Sequence, residues 1–200
     1  MKRLTILFTI LIIVFAAAPF SWAILTDRGG GLIYDDDLNI TWLQDANYAD
    51  TSGYDDLLYG IDTDGTMYWA DAVTWANNLI YQGYDDWRLS YNPDICQSYG
   101  CSASEMGHLY HIEGISASTP GIFLNVRPGG YWAGNERSPG EPYWFGFADG
   151  GQGVDIQNPR FYAWAVRDGN SRPVPEPNTM FLLSSGLVGL VVWRSMKRFR

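Results

Sequence analysis

The sequence predicts an α+β fold, because apolar residues follow a helical period in one part of the chain and short aromatic strands fill a later part. The helical period is clearest where apolar residues recur at Trp69, Val73, Ala76 and Ile80. After Gly121 the chain consists of short aromatic segments separated by glycine, proline and aspartate. Two helices and a set of short antiparallel strands are therefore expected.

Both expected helices have end signals. For the first, Thr66 is the predicted N-cap and Gly83 the predicted stop. The second is expected to begin at Ser102, because Ser102 and Glu105 have the spacing of a capping box. The residues after the box give this helix an apolar face at Met106, Leu109 and Tyr110.

One early strand and three late strands are expected. After the glycines at 29–31, Leu38, Ile40 and Trp42 alternate along the chain in the manner of a strand. The stretch Asp149-Gly150-Gly151 is typical of a hairpin turn. The late strands are predicted at Tyr131–Asn135, Tyr143–Ala148 and Phe161–Val166.

Residues 1–23 have the order of a secretory signal peptide. Lys2 and Arg3 precede an apolar run, and the small residues Ser21 and Ala23 follow it. This order predicts removal by signal peptidase after Ala23. An uncleaved N-terminal helix is the alternative, which the two small residues disfavour.

Residues 173–200 carry three elements in a fixed order. Pro175, Glu176 and Pro177 form an extended, helix-free tripeptide. The apolar segment at about 179–193 is short for a membrane-spanning helix, and the basic residues of 194–200 predict a cytoplasmic C-terminus. An ordinary membrane anchor that is never cut is the alternative interpretation of such a segment.

This terminal segment resembles a PEP-CTERM sorting signal, which is found on exported proteins of Gram-negative bacteria. The resemblance implies a precursor held transiently in the inner membrane by a transmembrane helix. It also implies cleavage near Pro175, Glu176 and Pro177 by an exosortase, with the mature form at the cell surface or outside the cell.

Residues 24–172, which we call the body, are long enough for one domain and strongly acidic. The body has no lysine, and its seven arginines against 21 acidic residues give a net charge of −14. Such a surface repels nucleic acid and anionic membranes, so neither is an expected partner. The charge either attracts divalent cations or keeps an exported protein soluble, and both interpretations stay open.

The two cysteines, Cys96 and Cys101, lie close together in a loop-like stretch. In an exported chain this spacing predicts a disulfide that closes a short loop. A metal pair is disfavoured because no further ligands stand nearby. A catalytic thiol is disfavoured because a second thiol lies so close.

No catalytic site and no metal site is expected. Glu105, His108 and His111 recur at every third position of the second helix, so neighbours among them are able to share a metal. However, Glu105 has a predicted role in the cap, and His111 lies about 120° around the helix from it. The chain has no nucleophile elbow, P-loop or dinucleotide fingerprint. Calcium is the one cofactor left open.

The tryptophans are numerous for a body of this length. Trp42, Trp69, Trp87 and Trp164 are expected to be buried in the core. Sugars stack on exposed aromatic rings, and the rings set among glycine and proline are the candidates for such a patch. The candidate ligand-binding residues are Tyr131, Trp132, Asn135, Tyr143 and Trp144.

Several stretches of the body together resemble the C-terminal domain of the collagen-like adhesin family. They are Leu32–Asp35, Trp42–Tyr48, Gly83–Leu89, Ser104–Tyr110, Tyr131-Trp132 and Tyr162–Arg167. The resemblance implies a compact fold similar to C-type-lectin-like and formylglycine-generating-enzyme-like domains, with roles in glycan binding and adhesion. The chain departs from the pattern where Ser90-Tyr91 replaces Pro-Thr and where Ala133-Gly134-Asn135 follows the Tyr-Trp strand.

The sequence therefore favours a non-catalytic surface or matrix module that binds an extracellular glycan or a matrix protein, in a biofilm or exopolysaccharide setting. An enzyme related to formylglycine-generating enzymes, with Cys96 and Cys101 as a redox pair, is the first alternative. A purely structural role in the matrix is the second.

Overall fold

The computed structural model describes residues 25–60, 64–157 and 159–173. The predicted signal peptide and all but the first residue of the 173–200 segment lie outside the described residues. Within the described ranges, no helix is long and apolar enough to cross a membrane. These residues form four helices and two antiparallel sheets, so the predicted mixture of helix and sheet is confirmed.

The elements are short. The helices are α1 (Tyr48–Thr51), α2 (Tyr54–Tyr59), α3 (Trp69–Asn78) and α4 (Glu105–His111). The strands are β1 (Leu25–Gly29), β2 (Leu32–Asp35), β3 (Ile40–Leu43), β4 (Arg88–Leu89), β5 (Gly130–Glu136), β6 (Pro142–Gly146), β7 (Gln152–Val154) and β8 (Ala165–Asp168). The helices α1 and α2 were not expected, since four and six residues are too few to show a helical period.

The larger sheet has the strand order β1-β2-β3-β8-β4. The first three strands form a meander, in which Ile33 lies opposite Trp42. The last strand, β8, then enters between β3 and β4 and places Arg167 opposite Thr41. The C-terminal end of the body is thereby tied to β3, because the Thr41 hydroxyl donates to the Gly169 carbonyl at 2.6 Å.

The smaller sheet has the order β5-β6-β7. The predicted hairpin turn at 149–151 is confirmed, since it joins β6 to β7 and the Gly150 N–H donates to the Gly146 carbonyl at 2.9 Å. The two sheets are linked where the Trp132 N–H donates to the Tyr162 carbonyl at 2.9 Å. The buried apolar residues of both sheets therefore belong to one core.

Tryptophan fills much of this core. The predicted burial of Trp42, Trp87 and Trp164 is confirmed, whereas Trp69 is only half-buried. The indole N–H of Trp164 donates to the Leu43 carbonyl at 2.7 Å, and that of Trp69 to the Ala133 carbonyl at 2.8 Å. These bonds satisfy the polar edge of rings that otherwise pack against apolar neighbours.

The predicted ends of the first helix are wrong. Tyr68, not Thr66, precedes the first turn of α3, and the Thr66 hydroxyl instead donates to Asp64. The helix ends at Asn78, so Ile80 lies beyond it and is 75% exposed. Gly83 lies in a later turn, where its φ of 79° suits a residue without a side chain.

The predicted capping box is also wrong. Ser104, two residues after Ser102, is the N-cap of α4, and its hydroxyl accepts from the Gly107 N–H at 3.0 Å. Glu105 does not turn back to the cap, because its carboxylate is held by Arg88. The predicted disulfide between Cys96 and Cys101 is confirmed, with their Cα atoms 5.5 Å apart.

Candidate functional site

A cleft of about 500 Å³ opens beside the first turn of α4. It lies where α3, β4 with the two residues after it, α4 and β5 approach one another. Its lining residues are Val73, Asn77, Arg88, Leu89, Ser90, Tyr91, Glu105, Gly134 and Asn135. The lining therefore combines an aromatic ring and apolar side chains with amides, a hydroxyl and an ion pair.

The ion pair between Arg88 and Glu105 gives the cleft a rigid wall. The two Arg88 terminal nitrogens donate to the two Glu105 carboxylate oxygens at 2.9 and 2.7 Å, a bidentate arrangement. Arg88 also donates to Asp168 at 2.7 Å. Burial by itself would lower the pKa of Arg88. The hydrogen bonds from Arg88 to Glu105 and the negative charge of Glu105 have the larger effect, so the pKa of Arg88 lies above its ordinary value. The arginine stays charged at every pH at which the protein folds.

Ser90 and Tyr91 follow β4 and form the next part of the lining. The Tyr91 N–H donates to Glu105 at 2.7 Å, which fixes the backbone, while its side chain is 54% exposed. Ser90 is buried, and its hydroxyl has no hydrogen-bond partner among the described protein groups. A buried hydroxyl without a protein partner costs free energy, because the hydrogen bonds it would make to water are not replaced.

Asn135 faces the cleft but is largely committed to the scaffold. Its carbonyl oxygen accepts from the Asn92 N–H at 3.0 Å, and its amide donates to the Asn92 carbonyl at 2.7 Å. The Asn92 side chain in turn donates to Gln152 at 3.1 Å. Asn135 therefore ties β5 to the loop after β4 and holds the opposite wall of the cleft in place.

The prediction of an exposed aromatic patch on β5 and β6 is wrong. Tyr131, Trp132 and Tyr143 are fully buried, and Trp144 is half-buried against Phe161. The rings alternate between two faces, but both faces are covered. Tyr131 packs on Phe147, whereas Trp132 packs on Phe161 from the other side. Of the five predicted ligand-binding residues, Asn135 alone lines the cleft.

Glu105, His108 and His111 are not brought together. Glu105 pairs with Arg88, and the His111 ring packs edge-on against Tyr110 and Phe145. His108 instead faces acidic residues of other segments, with its Nε2 atom 4.0 Å from Asp35, 3.7 Å from Asp37 and 3.6 Å from Glu113. Asp35, His108 and Glu113 are the one set of three in the described residues with a spacing that is able to hold a metal ion.

Sequence reasoning missed both the cleft and this cluster. The run Asp35-Asp36-Asp37 was a visible signal for an acidic site, but nothing local placed it against α4. Ser90 and Tyr91 differ from the collagen-like adhesin pattern, which has Pro-Thr at these positions. This difference was a signal in the sequence for residues particular to this chain.

In comparisons with known proteins, the terminal segment of the chain matches a family model. Residues 173–198 match the model of the PEP-CTERM protein-sorting motif. No curated protein and no solved structure matches the chain. The match indicates a protein that is exported from a Gram-negative bacterium as a membrane-anchored precursor and sorted by an exosortase. It does not extend over the body, whose resemblance to the collagen-like adhesin domain stays a prediction.

Proposed function

We propose that the chain is an exported, non-catalytic surface or matrix protein whose body binds a neutral glycan in the cleft beside α4. The sorting motif at 173–198 supports the export route. In this proposal signal peptidase removes residues 1–23, and an exosortase cuts near Pro175, Glu176 and Pro177. The mature body then acts at the cell surface or outside the cell.

The observation that carries the binding proposal is an exposed tyrosine ring set among polar groups in the cleft. A sugar ring has an apolar face of C–H groups and a rim of hydroxyls, so it needs an aromatic surface and nearby hydrogen-bonding groups. The Tyr91 ring, which is exposed, provides that surface. The Asn77 side chain on α3 is exposed at the same cleft.

Charge favours a neutral glycan over an acidic one. The body carries −14, and Arg88, the arginine that lines the cleft, is already paired with Glu105 and Asp168. An acidic polysaccharide would be repelled unless a cation such as calcium bridged it to the protein. Binding of a neutral glycan should therefore persist in the presence of a chelator.

The two departures from the resembled adhesin pattern support a ligand particular to this chain. Ser90-Tyr91 and Gly134-Asn135 stand at those departures, and all four residues line the cleft from two sides. The resemblance therefore favours the class of ligand, a glycan, while the lining residues that differ would set which glycan binds. A C-type-lectin-like fold for the body is part of this proposal.

A glycan array tests the proposal. The full chain, expressed in an exporting Gram-negative host and purified in the form that accumulates, is applied with calcium and again with chelator. We expect binding to one or more neutral glycans in both conditions. Tyr91→Ala should weaken that binding at least fivefold, because loss of a stacking ring removes more than about 1 kcal/mol.

Tyr99→Ala is the matched control, because Tyr99 is also exposed, at 68%, but does not line the cleft. Equal loss in both variants would mean that the cleft is not the site. Absence of binding to any glycan in either condition would remove the proposal.

A further inference from the structure

We propose that Asp35, His108 and Glu113 bind one divalent transition-metal ion, with Zn²⁺ as the natural probe. The site is separate from the cleft and does not depend on glycan binding. It lies between the end of β2 and the C-terminal end of α4. One ligand atom from each of the three side chains lies within 4.8 Å of the other two.

Asp35 and His108 are buried and Glu113 is partly buried, and each of them has a buried polar atom without a hydrogen-bond partner. Asp35 is 1% exposed and His108 8%. Asp35 Oδ2, His108 Nε2 and Glu113 Oε1 are buried atoms without a hydrogen-bond partner among the described groups. Buried polar atoms almost always have partners, so these three are exceptions. The Asp35 oxygen that lies 4.0 Å from His108 Nε2 is the other one, Oδ1, which accepts from the Leu38 N–H at 3.1 Å.

The separations suit a metal better than a direct ion pair. A charge-assisted N–H···O bond closes to about 2.7–2.9 Å. Here His108 Nε2 stays 3.6 Å from Glu113 and 4.0 Å from Asp35. Ligands about 2.1 Å from a tetrahedral ion are about 3.4 Å apart, so these three atoms, which lie within 4.8 Å of one another, would move closer by at most about 1.4 Å on coordination.

The charge also calls for a cation. Asp37, half-exposed and 3.7 Å from His108 Nε2, adds a third carboxylate at the solvent side of the cluster. A divalent ion would stabilise the ionised carboxylates that burial disfavours.

The donor set points to the class of ion. Calcium and magnesium prefer oxygen ligands alone, whereas an imidazole nitrogen with carboxylates suits zinc, manganese or iron. Asp37 is placed to serve as a fourth ligand or to leave that position to water, because its side chain reaches solvent.

Zinc binding to the untagged full chain tests the proposal, after treatment with chelator and its removal. We expect one Zn²⁺ per chain by calorimetry and a higher thermal unfolding midpoint with Zn²⁺, since an ion that binds only the folded state stabilises it. The chain has two histidines, so imidazole NMR signals give a readout without any variant. The signals of His108 should shift on addition of Zn²⁺, and those of His111 should stay.

Glu113→Gln, which keeps the side-chain shape, and His108→Gln should each weaken Zn²⁺ binding at least tenfold. His111→Gln is the matched control and should bind like the unmodified chain. The proposal is overturned if no saturable zinc binding occurs or if the His108 signals do not move. It is equally overturned if Glu113→Gln binds zinc unchanged, or if Ca²⁺ alone gives the stoichiometric response.

Discussion

Arg88 shows how one side chain fixes the geometry around the cleft. From β4 it reaches Glu105 on α4 and Asp168 at the end of β8, so three segments distant in sequence meet at one guanidinium. Sequence could not predict this role. The Trp-Arg-Leu stretch marked the position, but neither carboxylate is near it along the chain, and Glu105 was assigned to a cap.

Replacing Arg88 should be costly. Arg88→Met keeps most of the packing volume but leaves Glu105, whose side chain is 14% exposed, without its partner. We expect a loss of about 3 kcal/mol in the free energy of unfolding, measured by urea denaturation.

Arg137→Met is the control for this change. Arg137 pairs with Glu141 on the surface, where ion pairs contribute little to stability. A comparable loss in the free energy of unfolding in both variants would show that the Arg88 ion pairs stabilise the fold no more than a surface ion pair does.

At the scale of elements, α4 links the two sites. Its first turn presents Glu105 to the cleft, and one turn later it presents His108 to the acidic cluster. The existence of this helix was predictable from its apolar spacing, but its start was not. Two serines compete for the cap, and the Gly107 N–H donates to Ser104. A Cβ at position 107 would lie 2.3 Å from the Cys101 carbonyl oxygen, so a glycine there lets the preceding segment pass close to the helix.

Ser104→Ala should destabilise the protein by about 1–2 kcal/mol, because it removes the cap of α4 and a buried hydrogen bond to Gln152. Ser102→Ala should leave the unfolding midpoint unchanged, since Ser102 is exposed and caps nothing. Thermal unfolding of the two variants checks this. A larger loss of stability in Ser102→Ala than in Ser104→Ala would instead support the capping box at Ser102 and Glu105 that the sequence predicted.

For the molecule as a whole, composition and period were enough to predict mixed helix and sheet, the burial of Trp42, Trp87 and Trp164, and the disulfide. They were not enough to predict which aromatic residues face solvent. Alternation along β5 shows that Tyr131 and Trp132 point to opposite faces, but not that other segments cover both. That depends on contacts between segments far apart in the chain, which no local pattern records.

Buried and partly buried tyrosines make the whole fold sensitive to alkali. Burial, with the hydrogen bond to Asp71, raises the pKa of Tyr59 to about 12, and five more described tyrosines have a raised pKa. Unfolded tyrosine ionises near 10. The folded state therefore holds more protons than the unfolded state above pH 10, and stability that is complete below pH 10 is lost as the pH rises towards 12.

The free energy of unfolding, measured from pH 8 to 12, should fall steeply above about pH 10. Tyr59→Phe should flatten that fall, because one proton-binding difference between the states is removed. The same slope in the variant and the unmodified chain would contradict the assignment to Tyr59.

The place of β8 has a consequence for the order in which the exported chain folds. This strand, at residues 165–168, is among the last of the body, yet it lies between β3 and β4 in the larger sheet. A chain that crosses a membrane from its N-terminus can pair β1, β2 and β3 at once, but β4 has no partner in that sheet until β8 arrives. The sorting motif begins at residue 173, directly behind β8. In a chain exported from its N-terminus, the larger sheet can therefore be completed only after the residues directly before the sorting motif have crossed the membrane.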